Sequence, residues 1–93
     1  MRIIGHLEHS SMKITVFQMD NKYSVKFETS LYEQTYKFRQ SEELQGLAAI
    51  ETLVDDQFQA QVLEQFQQLH RIKSEGLGRF LSAQEEEEFD EII

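Results

Sequence analysis

Cysteine is absent from this chain of 93 residues, which removes disulfide frameworks, thiolate zinc sites and a Cys nucleophile together. A thiol-free chain suits a reducing compartment, and a cytoplasmic location is expected. Long apolar runs are missing as well. The opening MRIIGHLEHSS has no stretch of signal-peptide length, and no run approaches the roughly 20 apolar residues of a membrane-spanning helix. A soluble chain with no membrane partner follows as the expectation. Internal repeats are not visible, and no segment longer than Gly76–Gly78 has the composition of a linker. One domain over residues 1–93 is expected, with a sheet in 1–39 and a helical half in 41–93.

What is present is bulky core material. Seven Phe and three Tyr sit within a 40% hydrophobic composition, enough for a modest core without metal or disulfide staples. The net charge of −8 is lopsided. Residues 1–40 carry six cations against four acids, a net +2, whereas residues 41–93 carry three against thirteen, a net −10. So acidic a half repels a phosphate backbone, and no nucleic-acid partner is expected. A protein partner fits better, either a basic protein or a second copy of the chain.

The first 39 residues alternate in the manner of strands. Asp20-Asn21 separates two such runs, and both residue types tolerate the positive φ of a two-residue hairpin turn. That turn opposes Val16 to Val25, Ile14 to Phe27 and Gln18 to Tyr23 on one face. On the other face it opposes Lys13 to Glu28, Thr15 to Lys26 and Phe17 to Ser24. A one-residue slip would scramble both sets. A second turn at Ser10-Ser11 pairs Leu7 with Ile14, Glu8 with Lys13 and Ile4 with Phe17, so a Glu8–Lys13–Glu28 ladder is expected across three strands. For a fourth strand over residues 33–39 two registers remain open. A turn centred on Ser30-Leu31 opposes Glu28 to Glu33, and a longer loop opposes Lys26 to Lys37. The expected core face is Ile3, Leu7, Ile14, Val16, Tyr23, Val25, Phe27, Tyr36 and Phe38. Ile4, Phe17 and Met19 then form an apolar cluster on the outer face, which water alone should not cover.

The helical half opens at Ser41-Glu42-Glu43, an N-cap followed by acids suited to a helix dipole. Leu44, Leu47, Ile50, Leu53 and Val54 follow at helical spacing, with Gly46 tolerated inside. Asp55-Asp56 favours a break and a second start, with Gln59 completing a capping box to Asp56, but the apolar phase nearly continues across the aspartates and one long helix stays open. Phe58, Val62, Phe66, Leu69 and Ile72 mark the second buried stripe, ending near Lys73. Gly76-Leu77-Gly78 predicts a stop, and Ser82-Ala83-Gln84-Glu85 a third start. The resulting fold class is α+β: a four-stranded antiparallel β-meander over about residues 2–39, then two or three α-helices packed mainly on one face. Phe89, Ile92 and Ile93 make the last stretch amphipathic and in need of a docking surface, on its own chain or on a neighbour.

Few constellations carry chemistry. His6 and Glu8 share a strand face and are weak candidates for metal ligands, but His9 points the other way. Ser10 and Ser11 beside His9 lack a base-orienting group and oxyanion donors, and turn chemistry accounts for them. The Tyr23, Phe27, Tyr36 and Phe38 face has no interleaved cations, unlike a base-stacking platform. The paired acids lie at predicted helix starts, where they stabilise the helix dipole. The Gln57, Gln59, Gln61, Gln65, Gln67 and Gln68 set gives helix two a polar face that desolvates at lower cost than ions. The expected function is that of a non-catalytic interaction or assembly protein without a cofactor. Its homo-oligomeric interface would comprise Ile4, Phe17, Met19, Phe89, Ile92 and Ile93. The alternatives are a small-molecule or metal-binding protein at His6 and Glu8, with or without enzymatic activity, and an acidic inhibitor of a basic partner.

Overall fold

Period-two alternation through Phe38 builds four strands, which the computed structural model joins into one antiparallel sheet. It describes the backbone of residues 1–92 and the side chains of residues 1–84. The strands are β1 (Arg2–Leu7), β2 (Lys13–Met19), β3 (Lys22–Glu28) and β4 (Glu33–Arg39), in the spatial order β1-β2-β3-β4. Two helices follow, α1 (Gly46–Leu53) and α2 (Asp56–Ile92), so the layout is α+β.

The central hairpin has the register that alternation implies. Val16 opposes Val25, Ile14 opposes Phe27, and Lys13 opposes Glu28. Asp20 takes φ +53° in the turn, a conformation Asp adopts more readily than most residues. The β3–β4 register opposes Glu28 to Glu33. Lys26 offsets that like-charge pair, its Nζ lying 3.8 Å from Glu28 and 3.2 Å from Glu33. The Glu8–Lys13–Glu28 ladder does not form as expected. Strand β1 ends at Leu7, which leaves Glu8 outside the pairing.

Strand β1 also departs from the simple register. Leu7 opposes Ile14, but the register shifts between Ile3 and Gly5, so Ile3 rather than Ile4 opposes Phe17. A bulge inserts one residue and reverses the alternation beyond it. Ile4 therefore packs on the core and Ile3 is exposed on the outer face, opposite to the expectation for both. The physical reason lies at Gly5. A Cβ there would meet Leu47 Cδ2 at 2.5 Å, so the bare backbone lets α1 approach β1 closely.

Ile14, Val16, Tyr23, Val25 and Phe27 supply the sheet side of the core, and Ile50, Val54, Val62 and Phe66 the helical side. Phe58 stacks on Phe27 and meets Tyr36 edge-on, with centroids 5.8 and 5.2 Å apart. Full burial of a side chain like Phe27 contributes about 1.5–3 kcal/mol. Gln34 faces the same interior and donates from Nε2 to the Val62 carbonyl at 3.0 Å.

The helix boundaries differ from expectation in three places. Ser41 caps only a turn, accepting from the Leu44 N–H at 3.1 Å, and α1 starts later at Gly46. Gly46 adopts φ +83°, which suits glycine, and its N–H donates to the Tyr23 hydroxyl at 2.8 Å. The break at the aspartates is real, but Asp55 is the cap. Its Oδ1 accepts from the Phe58 N–H at 2.9 Å, while the Gln59 amide reaches back to the Val54 carbonyl instead of Asp56. Finally, α2 runs unbroken through Gly76 and Gly78, and no separate third helix begins at Ser82. Each glycine costs about 1 kcal/mol relative to Ala in a helix interior. Strong formers on both sides, in a chain without proline, absorb that cost.

Candidate functional site

Helix α2 has 37 residues, about 55 Å at 1.5 Å per residue, and β4 is far shorter with 7 residues. Contacts along the helix define its path. Phe58 meets Phe38 and Tyr36, Val62 meets Gln34, and the His70 ring meets Tyr32 edge-on at 5.9 Å. The helix therefore follows β4 backwards and leaves the sheet at the β3–β4 turn. Lys73, with Nζ 5.4 Å from the Tyr32 ring centroid, marks the exit. Beyond it the helix overhangs, and the longest dimension of the molecule reaches 69 Å.

The overhang keeps the amphipathic phase of the packed part. Phe80 lies 18 residues after Val62, and Leu81 the same distance after Leu63. That spacing is about five turns, so each pair shares one side of the helix. Val62 is buried and Leu63 half-buried, whereas Leu77, Phe80 and Leu81 are 53%, 57% and 52% exposed. Ile72, expected in the buried stripe, is exposed too, because the sheet ends beside it. Reading the stripe only to Lys73 missed Leu77, Phe80 and Leu81. The 18-residue recurrence was the signal that could have found them.

A second uncovered surface is the outer face of the sheet. Ile3, Phe17 and Met19 cluster at the end marked by the Asp20-Asn21 turn, with Ile3 taking the position expected of Ile4. Ile3 and Met19 are exposed and Phe17 is half-buried. The cross-strand rows place Lys13, Lys22, Lys26, Lys37 and Arg39 on this face, against the acids Glu28 and Glu33. It is a basic face with an apolar centre. The sequence of residues 82–93 holds six acids and no cation. Phe89 and Ile92 lie beyond the described side chains, and Ile93 lies outside the described residues altogether.

His6 and Glu8 do not come together with a third ligand; among the described residues no group of three or more His, Cys, Asp or Glu could hold a metal ion. His6 Nδ1 instead lies 3.4 Å from Thr15 Oγ1, and His9 Nδ1 accepts from the Ser11 N–H at 3.0 Å. His6, Glu8, His9 and Ser11 border an open depression of about 730 Å³, where His9 acts as a turn acceptor. The fold also assembles a trio not visible in the sequence. The Tyr32 hydroxyl is 2.8 Å from His70 Nδ1, and Ser74 Oγ is 3.4 Å from His70 Nε2. All the hydrogen bonds of this trio are on the surface, and Ser74 sits within a helix where its backbone N–H is engaged. The arrangement pins α2 to the β3–β4 loop at its point of exit.

Comparison with known proteins returns no match among family models, curated proteins or solved structures.

Proposed function

We propose that this protein is a non-catalytic interaction module that assembles with further copies of itself. The overhang carries the reading. Leu77, Phe80 and Leu81 continue the stripe that buries Val62 and Leu63, yet are more than half exposed. A helix stabilises such a stripe by burying it, at about 25 cal/mol for each Å² of apolar surface removed from water. An apolar patch of this kind outside a fold's own core marks an interaction site. The basic open sheet face and the acidic distal helix supply complementary charge for assembly.

Absolute mass by light scattering over a range of concentrations tests the proposal. A dimer or larger species is expected, reduced to monomer by Phe80→Glu without loss of cooperative unfolding. A wild-type protein that remains monomeric throughout would defeat it. Metal titration of protein lacking a histidine tag tests the competing reading at His6 and Glu8: no stoichiometric zinc is expected, and zinc lost in His6→Ala would revive that reading.

A further inference from the structure

We infer that the free edge of β4 pairs with the same edge of a second copy, joining two sheets into one continuous sheet. This rests on the self-assembly reading and adds a contact that the overhang does not supply.

The two edges of the sheet differ. Strand β1 carries a bulge beside Gly5, and bulges blunt an edge. Strand β4 pairs with β3 without a break over 7 residues, and the chain has no proline to interrupt it. The Gln40 N–H donates to the Asn21 carbonyl at 2.7 Å at one end of this ladder, and the Thr29 N–H to the Tyr32 carbonyl at 2.9 Å at the other. Even-numbered residues of β4 therefore exchange hydrogen bonds with β3, and the N–H and C=O groups of Glu33, Thr35, Lys37 and Arg39 point outward. No strand among the described residues takes them.

Pairing this edge with itself satisfies both backbone and charge. A two-fold axis through Tyr36, perpendicular to the sheet, relates the two antiparallel copies. It sets Glu33 opposite the partner's Arg39, and Thr35 opposite the partner's Lys37. All four are outward-pointing positions, so each free donor and acceptor meets a counterpart. The axis keeps outer face with outer face, where both Glu33–Arg39 contacts join opposite charges. A slip of two residues either opposes Lys37 to itself or leaves Arg39 unopposed. The contact is isologous and closed.

Helix α2 leaves room for the partner. Phe58 contacts Phe27 of β3 as well as Tyr36 and Phe38 of β4, so the helix is set back from the edge. Gln61 and Leu63 flank Val62 on opposite sides of the helix. Leu63 packs on the core, which puts Gln61 on the side of the free edge. The groove there, of about 250 Å³, is lined by Tyr36, Phe58, Gln61, Val62 and Gln65 and carries no charge. Uncharged amides desolvate at lower cost than ions, so the glutamine face of α2 suits a border of this contact. Because α2 runs from Phe38 toward the β3–β4 turn, the two overhangs leave the joined sheet at opposite ends and stay free for their own contact. The strand edges, about 23 Å long and about 10 Å deep, bury on the order of 500 Å². That is short of a stable interface, so the edges pair in assemblies that the overhang contact already holds together.

Directed cross-linking tests the pairing, because the chain has no cysteine of its own. Thr35→Cys and Lys37→Cys place thiols at exposed sites. Directly opposed residues have Cα atoms about 5.5 Å apart, within disulfide reach. Either variant alone sets the thiols of two copies on a diagonal of about 7–8 Å, out of reach. Oxidised glutathione is added at a concentration where light scattering shows assembly. An equimolar mixture is then expected to cross-link about tenfold faster than either variant alone. Arg39→Glu in the Lys37→Cys chain should slow the mixture severalfold, and Glu33→Arg in the Thr35→Cys chain should restore it. If the variants assemble but the mixture reacts no faster than each variant alone, the edge pairing is overturned and self-assembly survives. A wild type that stays monomeric overturns both.

Discussion

The two parts of α2 share one amphipathic pattern and have different surroundings. From Phe58 to Leu69 the stripe rests on aromatic side chains of the sheet, and Phe66 is 7% exposed. From Leu77 onward the same stripe has no sheet beneath it, and Phe80 is 57% exposed. Residue type and helical phase match between the two, so burial is set by where the strands end. Amphipathicity states that a face will be covered; it does not state by what.

The sharpest test of that contrast is a matched pair of truncations. Phe66→Ala is expected to cost about 3–5 kcal/mol, and Phe80→Ala no more than about 0.5 kcal/mol at dilutions where the protein is monomeric. Urea denaturation measures both. Equal losses at high dilution would mean that the overhang is covered within its own chain. The α1 contact with β1 comes next in size. Gly5→Ala should cost about 1–3 kcal/mol by pressing on Leu47, and Leu47→Ala in the same chain should recover part of it. Strict additivity in that double-mutant cycle would show that the close approach is not what requires glycine.

Smaller effects separate the ends of α2. Asp55→Ala removes the cap on the Phe58 N–H and should lower stability by about 1 kcal/mol; an unchanged unfolding midpoint would count against that cap. Gly78→Ala lies in open space and should raise overhang helicity, by up to about 1 kcal/mol of local propensity. Far-ultraviolet circular dichroism on warming reads this. A loss of helicity would mean that the helix needs its glycine there.

Much of the sheet was legible because strand pairing follows local rules. Asp20-Asn21 fixes a tight turn, the turn fixes which residues oppose, and alternation assigns the faces. The bulge in β1 was not legible: it lies beside Gly5, on which Leu47, distant in sequence, packs closely. The stop expected at Gly76 was a correct reading of a local preference that helical neighbours outweighed. For the candidate site, Phe17 and Met19 were found from alternation, Ile3 took the place of Ile4, and Leu77, Phe80 and Leu81 were missed with the early stop. His70 and Tyr32, 38 residues apart, meet only because α2 follows β4 to its end.

The four strands and the central hairpin register follow from neighbours within a few residues or directly across a turn, and the uneven charge from composition alone, whereas the aspartates left one helix and two both open. Tertiary structure decided which isoleucine of β1 faces outward and where the stripe of α2 loses its cover. Both depend on how a helix is seated on a sheet. Helix and strand advance by different lengths per residue, so a 37-residue helix outruns a sheet of short strands, and no local pattern records where one ends beneath the other.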